Sequence, residues 1–225
     1  MENLGEILQL VVTVGACRLE INLQVVLMTW IVILGLFVFG WLAIRRRAVK
    51  PDSYFQTIGE LFVVNFFGLT EDALDKERAK TYGPLICALF MFLLACNWIG
   101  AIPHMHEPTK DLNTPLSLGI LGFVIAHYAG LRQKGLKAYL KEYAEPFFFM
   151  APLNVIGEIA KVVSISFRLF GNIMGGSIII LVVSHLIYSL ILPPFLTVFF
   201  VFFIGAIQAF VFTMLTVVYI SVQVK

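Results

Sequence analysis

The feature that most constrains this chain is an apolar run from Leu23 to Ile44 without a single charged side chain. A hydrocarbon core about 30 Å thick is crossed by about 20 apolar residues of α-helix. Four more apolar segments follow along the chain, at Pro84 to Ile102, Leu116 to Leu131, Pro152 to Leu190 and Phe195 to Val222. Because lipid offers no hydrogen-bond partner to the backbone, we predict that each of the five segments is a transmembrane helix.

The composition of the chain also points to lipid as its solvent. Hydrophobic residues make up 60% and charged residues 13%, against about 45–50% and about 25% in an average soluble domain. This argues against a soluble enzyme, a disordered tail and a nucleic-acid-binding domain. The sequence has no phosphate-binding loop, dinucleotide-binding glycine pattern, nucleophile elbow or pair of catalytic carboxylates. We therefore expect no cofactor, no metal, no nucleic acid and no chemistry beyond proton transfer.

Basic residues cluster in two loops and at the C-terminus. They are Arg45, Arg46, Arg47 and Lys50 after the first span, Arg132, Lys134, Lys137 and Lys141 after the third, and Lys225 at the end. Loops rich in Lys and Arg stay in the cytoplasm. All three places lie on that side if the N-terminus is outside, so we predict an outside N-terminus and a cytoplasmic C-terminus.

The segment 51–80 has a different pattern. Apolar side chains recur at three- and four-residue spacing, at Tyr54, Phe55, Ile58, Leu61, Phe62 and Phe66, and a charged stretch follows from Glu71 to Lys80. This spacing is typical of an amphipathic helix lying in the cytoplasmic interface. A short sixth transmembrane span is the alternative, and it is weakened by Glu60 and Asn65.

The fourth apolar segment is too long to stand upright in a membrane. As one helix, Pro152 to Leu190 would measure roughly 58 Å, about twice the hydrocarbon thickness. It either breaks into two helices or lies steeply inclined, and we favour one inclined helix that leads through Pro193-Pro194 to the last helix. The predicted fold is all-α and polytopic, a single membrane domain with an N-terminal helix (1–50), the interfacial helix (51–80), a helical hairpin (81–131) and a long inclined hairpin (150–223).

Polar residues of the long helix gather in one stripe. At 100° per residue, five of them fall within about 80° of one another together with Gly176: Asn154, Glu158, Lys161, Arg168 and Asn172. An arginine at mid-membrane costs ~2.5–3.5 kcal/mol on insertion scales and cannot lose its proton. Glu158 lies about 15 Å from Arg168 along the axis, so we expect an anionic partner on another chain, or a wet cavity. The alternative is an arginine that snorkels from a misjudged helix end.

Further residues of the last two helices have open roles. Gly171 and Gly175 form a small-xxx-small pair that suits either packing within the hairpin or contact with a foreign chain. On the last helix, Gln208, Thr216, Tyr219 and Gln223 share a face and either line a wet path or bond the stripe. His185 lies off the stripe, where structural polarity and proton relay are both possible roles.

Several motifs resemble those of subunit a of F-type ATP synthases. Ser164 to Asn172 reads Ser-Ile-Ser-Phe-Arg-Leu-Phe-Gly-Asn, which is similar to the signature of that family, and Gln208 to Phe212 reads Gln-Ala-Phe-Val-Phe. Similar stretches are Pro152 to Lys161, Tyr82 to Pro84, Asn97 to Pro103 and Pro108 to Thr114. The resemblance covers roughly residues 50 to 225, whereas the first fifty residues match only as one outside-to-inside helix.

The resemblance implies a role in rotary proton transport. Arg168 would face a ring of c subunits that each carry one mid-membrane carboxylate, with Asn172 and Gln208 as its polar neighbours. Two offset half-channels would carry protons to and from the ring, with Arg168 between them. The other implied partners are subunit b of the peripheral stalk, the remaining subunits of the ATP synthase and the lipid of a bacterial inner membrane. The chain itself would be non-catalytic.

The sequence departs from this family at the proton entrance. Many members carry a carboxylate where this chain has Ser177, and others an ionisable residue where it has Val201. We predict His185 as a substitute relay near Ser177 on the outside, with Glu158 and Lys161 toward the cytoplasm. The competing interpretations are a stand-alone secondary ion transporter, for which no inverted repeat is evident, and a structural anchor without transport.

Overall fold

The structure is a computed structural model that describes residues 9–14, 17–45, 54–102, 105–144, 149, 151–186 and 192–224. An antiparallel hairpin of β1 (Gln9–Val14) and β2 (Cys17–Asn22) comes first. The helices that follow are α1 (Leu23–Arg45), α2 (Tyr54–Leu74), α3 (Lys76–Trp98), α4 (Asn113–Lys134), α5 (Leu136–Ala144), α6 (Ala151–Leu186), α7 (Leu192–Thr197) and α8 (Gly205–Val224). Short 3₁₀ turns lie at Ile99–Ala101 and Pro108–Lys110, and a π-helical segment at Val198–Ile204 joins α7 to α8.

Five helical stretches are long and apolar enough to cross a membrane. They are Leu23–Arg45, Lys76–Ala101, Asn113–Lys134, Ala151–Leu186 and Leu192–Val224. The predicted all-α polytopic fold with five membrane helices is thereby confirmed, while the hairpin before α1 was not predicted. The orientation of the chain stays a prediction, and four of its basic residues, Arg46, Arg47, Lys50 and Lys225, lie outside the described residues.

Helix α2 is separate from α3 and is not among the five membrane-crossing candidates, which removes the support for a sixth span. Its inner face packs on α3, where the Phe66 and Phe90 ring centroids are 4.1 Å apart. The chain turns at Asp75, whose φ of 72° breaks the helix. The second apolar span, predicted from about Pro84, lies within α3, and the helix itself begins earlier, at Lys76. Hydropathy marks only the part of a helix suited to hydrocarbon, and the charged first turns of α3 extend beyond it.

Small residues let the central helices approach one another. Gly119 and Gly122 on α4 are buried and lie against Ser166 of α6 and Thr216 of α8. The Ser166 hydroxyl donates to the backbone carbonyls of Val162 (2.8 Å) and Pro115 (3.1 Å). In lipid, helices associate by close packing and by such hydrogen bonds, since burying an apolar side chain gains little over leaving it in hydrocarbon.

Helix α6 is continuous over all 36 residues from Ala151 to Leu186, as predicted. Its length of roughly 54 Å far exceeds the hydrocarbon thickness. Pro193 and Pro194 do not form the turn of the hairpin, because both belong to the first turn of α7, where a missing N–H costs no intrahelical hydrogen bond. The connection itself falls in residues 187–191, outside the described residues.

The π-helical segment is fixed by side chains of α3. Asn97 Nδ2 donates to the carbonyl of Gly205 (2.8 Å), and Trp98 Nε1 donates to that of Phe202 (3.3 Å). A π-helix shifts the backbone hydrogen-bond register, and these donors satisfy carbonyls around the shift. As a result, the end of α3 is tied to the start of α8.

Candidate functional site

Helix α6 has two flanks of opposite character. The packed flank holds its buried residues, Val162, Ile165, Ser166, Leu169, Ile173 and Gly176. The open flank carries Ser164, Arg168 and Gly171, which are all exposed. A Cβ placed on Gly171 or Gly175 would meet no described atom within 4 Å, whereas one on Gly176 would lie 2.7 Å from the Phe200 ring. Gly176 therefore packs the hairpin, and the Gly171–Gly175 pair takes no part in packing among the described residues.

Arg168 is exposed where the polar stripe borders the open flank. Across the part of the chain that the structure describes, its guanidinium has no hydrogen bond and no ion pair. Glu158 instead pairs with Lys161, with Oε1 and Nζ 2.6 Å apart. The acid nearest to Arg168 on α6 is thus already matched by another cation, and no acid among the described residues serves as a counter-ion for this permanent positive charge.

Asn172 lies one turn after Arg168 and joins α6 to α8. Its Nδ2 donates to Oε1 of Gln208 at 2.7 Å. Gln208 is buried, with 3% of its surface exposed, and its Nε2 has no hydrogen-bond partner among the described atoms. A buried donor left unpaired costs about 1–3 kcal/mol. The Arg168 guanidinium and the Gln208 Nε2 group are thus two hydrogen-bond donors near the α6–α8 contact that have no acceptor among the described atoms.

A small cavity lies beyond Asn172 toward the end of α6, and we call it the Ser177 cavity. Its lining is Asn97, Glu107, Asn172, Ile173, Ser177, Ile180, Phe200 and Val201. It offers about 10 Å³ to the centre of a water molecule, roughly what one water needs. The Ser177 hydroxyl donates to the carbonyl of Ile173 at 3.0 Å. Glu107 lines this cavity although no pattern in the sequence singled it out as a site residue.

The predicted relay His185 does not line the Ser177 cavity. It lies two turns further along α6, is exposed, and has Nδ1 at 3.2 Å from the carbonyl of Leu181 in its own helix. Its role as a relay stays a prediction.

A larger cavity lies at the other end of α6, and we call it the Lys161 cavity. It measures about 420 Å³ and is lined by Leu153, Asn154, Gly157, Glu158, Lys161, Val222 and Gln223. Lys161 Nζ is 5.9 Å from the centre of the Tyr219 ring. Glu158 and Lys161 thus lie together at a space large enough for several waters.

The polar face predicted on the last helix divides into separate roles. Gln208 and Tyr219 contact the stripe. Gln223 lines the Lys161 cavity and accepts a hydrogen bond from the Tyr139 hydroxyl at 2.9 Å, while Thr216 donates to the carbonyl of Phe212 in its own helix. Among the described residues, no three His, Cys, Asp or Glu side chains converge as metal ligands would.

Comparison with known proteins identifies the family of this chain. The family described as ATP synthase A chain matches residues 26–221. The chain belongs to this family. It is 37% identical to ATP synthase subunit a of Moorella thermoacetica over 193 residues, which cover 86% of this chain and 87% of the relative. It is 36% identical to ATP synthase subunit a 2 of Bradyrhizobium sp. (strain BTAi1) over 199 residues, with 88% and 87% covered. The subunit a of Aliarcobacter butzleri is 35% identical over 205 residues, with the same coverage.

Membership of the ATP synthase A chain family confirms the resemblance that the Arg-Leu-Phe-Gly-Asn and Gln-Ala-Phe motifs indicated. The five apolar helices and this membership together identify a membrane protein. Ser177 and Val201, the two positions at which the resemblance led us to expect ionisable residues, both line the Ser177 cavity.

Proposed function

We propose that this chain is the ion-translocating stator subunit of an F-type ATP synthase in a bacterial inner membrane. It would conduct protons to and from a ring of c subunits and make no covalent bond between heavy atoms. Subunit b of the peripheral stalk and the other synthase subunits would hold it in place. Family membership and the names of its relatives support this assignment.

One observation carries the mechanism: Arg168 is exposed on the open flank and lacks a carboxylate partner among the described residues. A protonated ring carboxylate is neutral and can pass through lipid, but an ionised one needs a compensating cation. Arg168 supplies that cation at one place, and it cannot lose its charge. A deprotonated ring carboxylate would therefore be stable only opposite Arg168.

The two cavities support separate half-channels. Lys161 lies about 10 Å before Arg168 along the helix axis and Ser177 about 14 Å after it, so the cavities flank the arginine from opposite ends. With the N-terminus outside, the Lys161 cavity opens toward the cytoplasm and the Ser177 cavity toward the outside. The fixed charge of Arg168 repels a proton that would hop directly between them, so protons cross only by travelling on the ring.

The test is Arg168→Ala, with Arg132→Ala on the exposed end of α4 as the matched control. Both variants are assembled into the complete synthase, and inverted membrane vesicles are assayed for proton-driven ATP synthesis and ATP-driven acidification. We expect Arg168→Ala to abolish both while the c ring still co-purifies, and Arg132→Ala to behave as wild type. Retained proton-driven synthesis in Arg168→Ala vesicles would refute the proposal.

A stand-alone transporter remains the alternative, and purification in mild detergent separates it from the proposal. The stator subunit co-purifies with a small, abundant, carboxylate-bearing subunit, whereas a stand-alone transporter purifies alone and still moves ions in liposomes.

A further inference from the structure

A buried carboxylate lies where the outer half-channel would begin. Glu107 belongs to the loop between α3 and α4, yet only 4% of its surface is exposed, and it lines the Ser177 cavity. Its side chain lies directly on the backbone of Gly100, so closely that a Cβ there would collide with the carboxylate. Burying a carboxylate costs several kcal/mol, so its place in the cavity calls for a compensating interaction or a function.

The loop that carries Glu107 is fixed on the membrane helices. Pro108 and Thr109 are buried, and the Thr109 hydroxyl donates to Asn97 Oδ1 at 2.8 Å. Asn97 Nδ2 donates in turn to the carbonyl of Gly205 at 2.8 Å. This chain of contacts ties the loop to α3 and to the start of α8, so Glu107 occupies a defined position beside the cavity.

The Glu107 carboxylate faces Lys110 on one side and the Ser177 cavity on the other. Lys110 Nζ forms an ion pair with Oε2, and the Lys110 side chain is 31% exposed. No described group donates a well-aligned hydrogen bond to that oxygen. Asn172 and Ser177 line the same cavity, and Glu107 is the one titratable residue of its described lining. The carboxylate thus lies between a cation that reaches solvent and a polar space one water wide.

We propose that Glu107 is the proton relay of the outer half-channel, an inference that rests on the proposed stator function. Its carboxylate takes a proton from hydronium outside, which leaves water. The carboxylic acid then gives this proton to water in the Ser177 cavity, and from there the proton reaches an ionised ring carboxylate near Asn172. Glu107 returns to its ionised form, and no bond between heavy atoms changes.

Glu107→Gln tests the relay in the complete synthase, because it keeps the shape of the side chain and removes the titratable group. We expect ATP-driven acidification of inverted vesicles, and proton conduction through the membrane sector, to fall about tenfold or more. Glu107→Asp keeps a carboxylate and should therefore retain most of the wild-type proton conduction. The matched control is Glu77→Gln, the same change at an exposed acid in the first turn of α3, and it should conduct normally. Wild-type conduction by Glu107→Gln would overturn the inference.

Lys110→Met distinguishes the relay from a purely structural role of the Glu107–Lys110 ion pair. If Glu107 only closes the loop against Lys110, both variants lose conduction equally, and the relay is refuted. If Glu107 carries protons, Lys110→Met keeps conducting. Adding Ser177→Glu to Glu107→Gln returns a carboxylate to the same cavity and should restore conduction, which no loop-closing role explains.

Assembly is followed in every variant by co-purification of the ring. If Glu107→Gln does not assemble, Gly100→Ala is the deciding variant, because its Cβ displaces the flexible end of Glu107 without removing a charge. Reduced proton conduction by Gly100→Ala supports the relay, and unchanged conduction refutes it.

Arg168→Ala is run in parallel. If it uncouples while Glu107→Gln pumps normally, the relay fails and the stator function stands; if it stays coupled, the stator function itself fails.

Discussion

The two flanks of α6 differ in the contacts that they make with the rest of the described chain. On the packed flank, Leu169 is fully buried, and Gly176 fits against Phe200. On the open flank, Arg168 has no anionic partner, and Gly171 and Gly175 have no neighbour among the described residues. One helix therefore has one side satisfied by its own chain and one side that is not.

The packing of α6 on its neighbours therefore does not involve Arg168 among the described residues. The packed flank forms from apolar side chains and from Ser166, whose hydroxyl bonds backbone carbonyls. No acid among the described residues compensates this cation in lipid, and under the proposed function a ring carboxylate does so. Changes on the packed flank should thus act on stability, and changes on the open flank on assembly and transport.

The strongest test of this contrast, after the loss of coupling expected for Arg168→Ala, is a pair of glycine variants. Gly176→Leu overpacks the contact with Phe200 and should destabilise the chain by about 1–3 kcal/mol or more. Gly171→Leu adds the same atoms to open space, so thermal unfolding in detergent should be unchanged, while co-purification with the ring and coupled pumping are lost. A Gly171→Leu variant that pumps normally would show that nothing docks on the open flank.

A smaller effect is expected where the two flanks meet, at Gln208. Gln208→Leu removes the hydrogen bond to Asn172 together with the unpaired Nε2. Because a hydrogen bond contributes about 0.5–1.5 kcal/mol net and an unpaired donor disappears with it, stability should hardly change, while coupled pumping should fall about tenfold.

The matched control is Thr213→Val, which removes a buried hydrogen bond within α8, Thr213 to Ala209, away from the stripe. It should pump as wild type. Equal pumping by the Gln208 and Thr213 variants would mean that the α6–α8 amide pair only joins helices.

The smallest effect is expected in the Lys161 cavity. The Glu158–Lys161 pair is partly exposed, with 17% and 45% of the side chains accessible, and such pairs contribute about 0–1 kcal/mol. Lys161→Met should leave unfolding unchanged and lower ATP-driven pumping by only about threefold, since a cavity of about 420 Å³ holds water without one side chain. A loss as large as that of Arg168→Ala would assign Lys161 an essential role.

Much of the fold could be predicted because lipid leaves the backbone few choices. Long apolar runs specify helices, and the absence of a proline between Pro152 and Pro193 favours one continuous α6. The early start of α3 at Lys76 could not be predicted from hydropathy, since charged turns beyond the hydrocarbon carry no apolar signal. The π-helical segment depends on donors from Asn97 and Trp98, which lie more than 100 positions away.

Some features of the candidate site could likewise be predicted from the sequence, and others could not. The stripe and the isolation of Arg168 follow from helical spacing, because both lie on one element. Glu107 could not be assigned, since it lies outside every apolar run and enters the Ser177 cavity only through the contacts of its loop. The one available signal was the neighbouring Pro108 to Thr114 motif, which marked the loop without indicating which side chain turns inward.

The most direct test of the central claim is a cryo-EM map of the assembled synthase that resolves the Arg168 side chain. The measured quantity is the distance from its guanidinium to the nearest carboxylate, together with the chain that supplies this carboxylate. The account predicts a carboxylate from a ring subunit, facing the open flank at Gly171 and Gly175. A guanidinium in bulk solvent, or paired with an acid of its own chain, would contradict it.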